Sequence, residues 1–223
     1  MSDLPRRLAT CSVALVVLLG PFAFAPDRLL HPSPWILVFA VLAVYLGQPT
    51  PPSKAFADPL DKGSAQLIVI GGNVSTLLPV VEFVARSDLS PPPLSAWVVV
   101  GALSVVAGAI LRIRAIATLG RFFTAVVQVQ AGQRVIREGP YAWVRHPSYS
   151  GVLLVLLGEA ALFQSVVGLL CVVLVMLPIY MFRIRIEEKA LLEGLGDEYR
   201  RYQEEVGALV PRLRRRETSA RRQ

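Results

Sequence analysis

The chain repeatedly runs apolar for as long as a bilayer is thick, and that leaves few folds open to it. A helix crossing the hydrocarbon core needs about twenty mostly apolar residues. Its backbone groups must be satisfied within the segment, so each such run reads as a helix. Leu8 to Ala25 is the first, behind Arg6 and Arg7. Ala23-Phe24-Ala25 also resembles a signal-peptide cleavage site, but Pro26 would follow the cut and more spans come after, so an anchor is preferred. Ser33 to Gly47, Ala65 to Ala85 and Ser95 to Leu111 follow. The second ends at the breakers Gln48-Pro49-Thr50-Pro51-Pro52, which open a polar loop to Ser64, and Arg86 to Pro93 forms another loop. On the fourth run, Gly101, Ser104 and Gly108 make a small-residue face suited to close helix packing. Gly151 to Phe182 is apolar for 32 residues, too long for one span, and is expected to be a hairpin turning near Leu162 to Ser165.

Composition agrees. Hydrophobic residues make up 54% and charged residues 17%, against roughly a quarter charged in soluble domains. Cys11 and Cys171 both lie in apolar runs, which excludes a disulfide framework and a metal-ligand cluster. The fold class expected is all-α: a polytopic integral membrane protein of five to six transmembrane helices, with a C-terminal hairpin and a cytoplasmic amphipathic helix. Charge divides the chain. Residues 1–111 hold six groups of each sign, whereas 112–223 hold seventeen basic and ten acidic groups. Placing the Arg-rich segment 112–150 and the tail in the cytoplasm also puts Arg6 and Arg7 there after four spans. Both termini are therefore expected to be cytoplasmic. Nucleic acid is a poor reading of the basic surplus, because cytoplasmic loops already account for it.

The polar residues that merit chemistry fall in two clusters. The first is Gly139-Pro140-Tyr141-Ala142-Trp143-Val144-Arg145-His146-Pro147-Ser148-Tyr149-Ser150-Gly151. Pro147 suits the first position of a helix. Such a start beside Arg145 and His146 is expected to leave amide groups open for an anion. The plainer alternative is an interfacial belt of Tyr141, Trp143 and Tyr149 with Arg145 on lipid headgroups. His31 is expected to be solvated in a short outer loop. The second cluster is Arg183-Ile184-Arg185-Ile186-Glu187-Glu188, followed by Leu195, Gly196, Tyr199 and Tyr202. Its plain reading is a solvated helix with i,i+4 pairs such as Arg183–Glu187. Counting from the hairpin turn puts His146 level with Tyr180, and the glutamates about 10 Å further out. Residues 139–145 would then fold over to meet them. Glu82 and Glu159 lie at membrane depth, where charge is costly and often functional, although interfacial snorkelling explains them equally well. Arg212 to Arg216 with Arg221 and Arg222 reads as a solvated tail near anionic lipid.

Taken together, Gly-Pro-Tyr-x3-Arg-His-Pro-x-Tyr-x-Gly, an apolar hairpin, Glu-Glu-x2-Leu-x4-Gly-x2-Tyr-x2-Tyr and Pro211 resemble the isoprenylcysteine carboxyl methyltransferase family. That family is similar to the membrane phospholipid N-methyltransferases. Leu119-Gly120-Arg121-Phe122-Phe123-Thr124 resembles the family's Leu-Gly-x-Phe lead into its core. Arg-His-Pro-x-Tyr alone also resembles NADPH-dependent membrane sterol reductases, which usually carry Asn where this chain has Ser148 and lack the Glu-Glu pair. A non-catalytic scaffold or transporter-like protein is the remaining alternative.

The resemblance implies S-adenosylmethionine as methyl donor, in a cytoplasm-facing pocket built from both clusters. His146, Tyr149 and Gly151 fall on one wall and Glu187 and Glu188 on the other. Tyr141 and Arg145 are neighbours, and Leu195 and Tyr199 close over the adenosine. Arg183 falls at the position associated with orienting the acceptor. Arg183 and Glu187 are the expected catalytic residues, with Glu187 or Glu188 the candidate base should the acceptor be an amine. The acceptor implied is a lipid or lipidated molecule entering from the bilayer. Residues 1–111 are then four transmembrane helices, 112–210 the methyltransferase core and 211–223 a basic tail.

Overall fold

The computed structural model describes residues 4–47, 61–86, 95–124 and 126–212. The breakers at 48–52, the loop at 87–94 and the tail from 213 lie outside the described residues. Helix α1 is Leu4–Leu19, α2 Pro32–Gly47, α3 Ser64–Ala85 and α4 Ala96–Leu119. Beyond a non-helical stretch come α5 Pro147–Leu162, α6 Val166–Cys171, α7 Leu177–Leu195 and α8 Asp197–Glu205. Among the described residues there is no strand, only an isolated parallel bridge between Val144 and Gly207. Four apolar helical stretches are long enough to cross a membrane: Leu4–Phe24, Ser64–Ala85, Ala96–Phe122 and Val166–Leu195. Pro32–Gly47 and Pro147–Leu162 are shorter apolar helices. The chain is a polytopic all-α membrane protein, as its apolar runs predict.

The fourth helix exceeds its expected span. It passes Leu111 and continues through Arg112 and Arg114 to Leu119, where Gly120 at φ +54° stops it. Hydropathy fails at Arg112, but the helix does not, because the Arg112 guanidinium reaches the Ser148 hydroxyl at 3.0 Å.

Helices α4 and α5 touch backbone to backbone. A Cβ on Gly101 would lie 2.7 Å from the Gly158 carbonyl oxygen, and one on Gly108 would lie 2.5 Å from that of Gly151. Ser104 donates across the same seam to the Leu154 carbonyl at 2.8 Å. The small-residue face is therefore used as its spacing predicts, and it meets a matching face on α5.

The hairpin turns at Phe163–Ser165, with Gln164 at φ +49°. The Ser165 hydroxyl accepts the Gly168 amide at 2.8 Å and donates to Glu82, which also pairs with Arg86. Arg86 donates in turn to the Gln164 carbonyl at 3.0 Å. Glu82 is thus the clamp on the turn. The returning helix is continuous from Val166 to Leu195 but loosens into a π turn at Val172–Met176. Pro178 lacks an amide hydrogen and crowds the carbonyl four residues earlier, which explains a wider turn at that place. Pro178 follows Leu177, whose amide bonds back five residues to Val172.

At this turn end Phe22, Phe83 and Phe163 pack together, with ring centroids 6.3 and 5.1 Å apart, among Leu18, Leu37 and Val80. His31 is not solvated. Its Nδ1 accepts the Ser33 amide at 3.2 Å, and its ring packs edge-on against Phe83 at 5.6 Å. The bonds it makes at the start of α2 outweigh exposure.

Candidate functional site

The opposite end of the bundle gathers the two polar clusters. Pro147 begins α5, as expected, and Tyr149 lies in its first turn. Helix α7 carries Arg183, Glu187 and Glu188 down to the same rim. The Tyr149 hydroxyl donates to Glu187 Oε2 at 2.6 Å and accepts from Arg183 Nε at 3.2 Å. Arg145 Nε donates to Glu188 Oε1 at 2.8 Å, and His146 Nε2 lies 3.1 Å from the same oxygen. An ionised carboxylate only accepts, so Nε2 carries the hydrogen in that contact. The His146 ring stacks parallel on Tyr149, which tilts against Tyr180 at 5.0 Å. The clusters therefore meet through His146 and Tyr149, and the preceding segment also reaches the glutamate side, with Arg145 on Glu188 and Tyr141 in the same cavity lining. The π turn absorbs one residue of the difference in length, and the side chains span the rest.

The helix start is not an open anion site. The amides of Arg145 and His146 donate to the carbonyls of Gly207 and Ala208 at 2.8 and 3.0 Å, and those of Tyr149 and Ser150 to the His146 carbonyl. Ser150 also donates to the Leu209 carbonyl at 2.6 Å. Residues 206–210 thus lie as a strap over the start of α5. The Arg145 and His146 amides hold that strap, while those of Tyr149 and Ser150 close on the His146 carbonyl.

Between these walls lies a cavity of about 910 Å³. Tyr141, Arg145, His146, Tyr149, Arg183, Glu187, Leu195 and Tyr199 all line it. Two expected site residues do not. Gly151 faces the seam, where a Cβ would lie 2.7 Å from the Gly108 carbonyl. The Glu188 carboxylate is taken up by Arg145, His146 and the Gln203 amide, the last at 2.8 Å. The cavity also runs into the bundle as an apolar chamber. Its lining reaches Leu18 on α1, Ala40 on α2, Thr76 on α3 and Leu156 on α5. Thr76 and Ala65 lie eleven residues apart on α3, so the chamber is about 16 Å deep. Below its floor, Thr76 donates to the buried Glu159 at 3.2 Å.

Arg183 does not form the simple pair with Glu187 one turn on. It is buried at 2% exposure and pairs with Asp61, which is fully buried. Arg183 Nη1 also donates to the Ser64 hydroxyl at 2.8 Å. Asp61 accepts the Ala65 amide at 2.7 Å and the Val127 amide at 3.2 Å. Burial alone would raise the Asp61 carboxyl, but the Ala65 amide, the Arg183 charge and the Val127 amide outweigh it and hold it below the usual carboxylate range. Burial, reinforced by Glu187, pushes the Tyr141 phenol up. Burial with Glu188 and Glu187 does the same to Tyr199. Both phenols therefore keep their hydrogen at neutral pH. Asp61 was missed because it stands 122 residues from Arg183 in a segment that reads as a linker. The available signal was local: an acidic residue just before Gly63-Ser64 opening an apolar run is a helix-start pattern.

Among the described residues no group of histidine, cysteine and carboxylate side chains could hold a metal. The lining offers one carboxylate, that of Glu187, with several aromatic and apolar faces and several arginines, of which Arg183 stands at the head of the apolar chamber.

A family model described as the isoprenylcysteine carboxyl methyltransferase family matches residues 99–193, across both clusters. The protein-S-isoprenylcysteine O-methyltransferase of Saccharomyces cerevisiae is 33% identical over 51% of this chain. The match covers 48% of that protein, so the chain spans about half the length of this relative. Protein-S-isoprenylcysteine O-methyltransferase B of Arabidopsis thaliana is 30% identical over 62% of this chain and 72% of its own length. A solved structure of the eukaryotic intramembrane Ras methyltransferase aligns at a TM-score of 0.47 and 20% identity, over 92% of this chain and 85% of that one. With a relative of this identity matched over most of its length, and a family model that spans both polar clusters, this chain belongs to the isoprenylcysteine carboxyl methyltransferase family.

Proposed function

We propose that this protein transfers a methyl group from S-adenosylmethionine to the carboxylate of an isoprenylcysteine-type lipid acceptor, forming a methyl ester. The observation that carries the reading is the link from Glu187 through the Tyr149 hydroxyl to Arg183, 2.6 and 3.2 Å, where a polar rim meets an apolar chamber. Residues expected to serve donor and acceptor thereby share one cavity. Family membership favours methyl transfer over the double-bond reduction that Arg-His-Pro-x-Tyr alone would allow, and over a non-catalytic scaffold.

The residues at the rim fit the proposed donor. Glu187 offers a carboxylate to its ammonium group, while Tyr141, Leu195 and Tyr199 offer aromatic and apolar surface to a nucleoside. When bound, S-adenosylmethionine supplies an electrophilic methyl carbon on a sulfonium. Arg183 holds the acceptor carboxylate through its guanidinium and directs one oxygen. With the donor held by Glu187 and the rim aromatics, that oxygen would accept the methyl group, and the electron pair of the carbon–sulfur bond would leave with sulfur. A carboxylate is already nucleophilic at neutral pH, so no general base is used. The protein supplies alignment and a site that excludes water.

Glu188, Arg145 and His146 act at one remove, by fixing the strap and the start of α5. In this reading residues 112–210 carry the donor, and the helices before Leu111 enclose the acceptor's lipid, which enters from the bilayer. The rim and both termini face the cytoplasm, in keeping with the basic surplus after Leu111.

The test is incubation of the purified protein in vesicles with methyl-labelled S-adenosylmethionine and N-acetyl-S-farnesylcysteine. The expected product is a base-labile methyl ester. Label appearing only on nitrogen, in an amine-bearing phospholipid, would replace the carboxylate reading.

A further inference from the structure

Arg183 is a long side chain with a charged planar head, and in a site so enclosed its direction must be set by what holds it. Two edges of the guanidinium are held: Nε by the Tyr149 hydroxyl at 3.2 Å, Nη1 by Asp61 and by the Ser64 hydroxyl at 2.8 Å. Fixing Nε and one Nη fixes the plane of the whole fork. Asp61 is itself anchored, because the Ala65 and Val127 amides bind its two oxygens at 2.7 and 3.2 Å. It therefore ties α3 and the segment at Val127 to α7, and all three line the same cavity.

We infer that Asp61 is a positioning residue for methyl transfer, holding the Arg183 guanidinium so that an acceptor carboxylate meets it in line with the donor's methyl group. The inference rests on the reading that Arg183 meets the acceptor. Charge gives Asp61 a second effect. A buried arginine without a counter-charge would grip a carboxylate tightly in the ground state, and such binding does not speed reaction. Asp61 shares the cation, so the acceptor is oriented without being locked. The hydrogen bonds of Asp61 run to Ala65, Val127 and Arg183 rather than to Glu187, Tyr141 or Tyr199 at the rim, so its loss is expected to spare donor binding.

The test compares wild type, Asp61→Asn and Ser64→Ala in vesicles, with N-acetyl-S-farnesylcysteine as acceptor and S-adenosylhomocysteine titrated separately. Asp61→Asn is expected to lower kcat at least tenfold, raise the acceptor KM no more than threefold, and leave S-adenosylhomocysteine affinity within twofold. Wild-type kcat in Asp61→Asn, or loss of donor affinity equal to the loss of kcat, would overturn the inference. Should Asp61→Asn fail to fold, Ser64→Ala decides, because it keeps the ion pair and removes one bond to Nη1. A threefold or larger fall in kcat at unchanged donor affinity supports positioning, and unchanged kcat overturns it. A wild-type protein that methylates no isoprenylcysteine would instead refute the underlying reading.

Discussion

The two sides of α5 are built in opposite ways. Toward α4 its glycines bring the backbones into contact, so that a Cβ on Gly158 would lie 2.7 Å from the Val105 amide nitrogen. Toward α1, α2 and α3 it borders the chamber, where a Cβ on Gly72 would have no neighbour within 4 Å. One glycine face removes space and another leaves it. The seam makes a rigid back wall from which Tyr149 and His146 project, and the loose side leaves room for a lipid. In membrane helices, where burial in lipid gives no hydrophobic drive to associate, such small-residue packing is a main source of cohesion.

Replacement of Gly158 by Leu should have the largest effect. The seam must part, at a cost of about 3 kcal/mol or more, and loss of the folded species in detergent should be visible by size-exclusion chromatography. Elution and melting like wild type would mean that the two sides are not different in kind. Glu187→Gln should come next. It keeps the shape of the rim and removes the charge proposed to meet the donor, so S-adenosylhomocysteine affinity should fall tenfold or more, as read by calorimetry. Gly72→Leu should fold normally and intrude on the chamber, raising the acceptor KM about fivefold without changing donor affinity. A melting loss equal to that of Gly158→Leu would erase the contrast. Ser104→Ala should be the mildest, about 1 kcal/mol, since one bond across the seam is lost and the glycines remain.

Much of this contrast could be read from residue order. The runs of apolar residues gave the helices, and the polar Gln164 marked the hairpin turn within a residue. Gly101, Ser104 and Gly108 announced a close-packed face, because spacing on one helix is a local property. The facing glycines were less legible: Gly151 sits inside a motif that points to chemistry, whereas its neighbour is the Gly108 backbone. The extension of α4 was hidden because hydropathy reports the solvent around a helix, not the helix itself. At Arg112 the polar partner is Ser148, 36 residues away.

Around the cavity, many of the polar residues that line it stand in the two local clusters, but the clusters do not show which side chains face it. Glu187 and Glu188 are adjacent on α7, yet one meets Tyr149 at the cavity and the other is consumed by Arg145, His146 and Gln203. Helical rotation of about 100° per residue separates them. The strap at 206–210 and the Asp61–Arg183 pair depend on distant chain segments, and no window of neighbouring residues contains them.

The proposed function requires the rim assembled from α5 and α7 to bind the methyl donor. Calorimetric titration of S-adenosylhomocysteine into the detergent-solubilised protein tests it most directly, with Tyr149→Phe alongside wild type. Saturable one-to-one binding, weakened severalfold once the hydroxyl between Glu187 and Arg183 is gone, is the predicted result. A wild-type protein that binds no S-adenosylhomocysteine would contradict it.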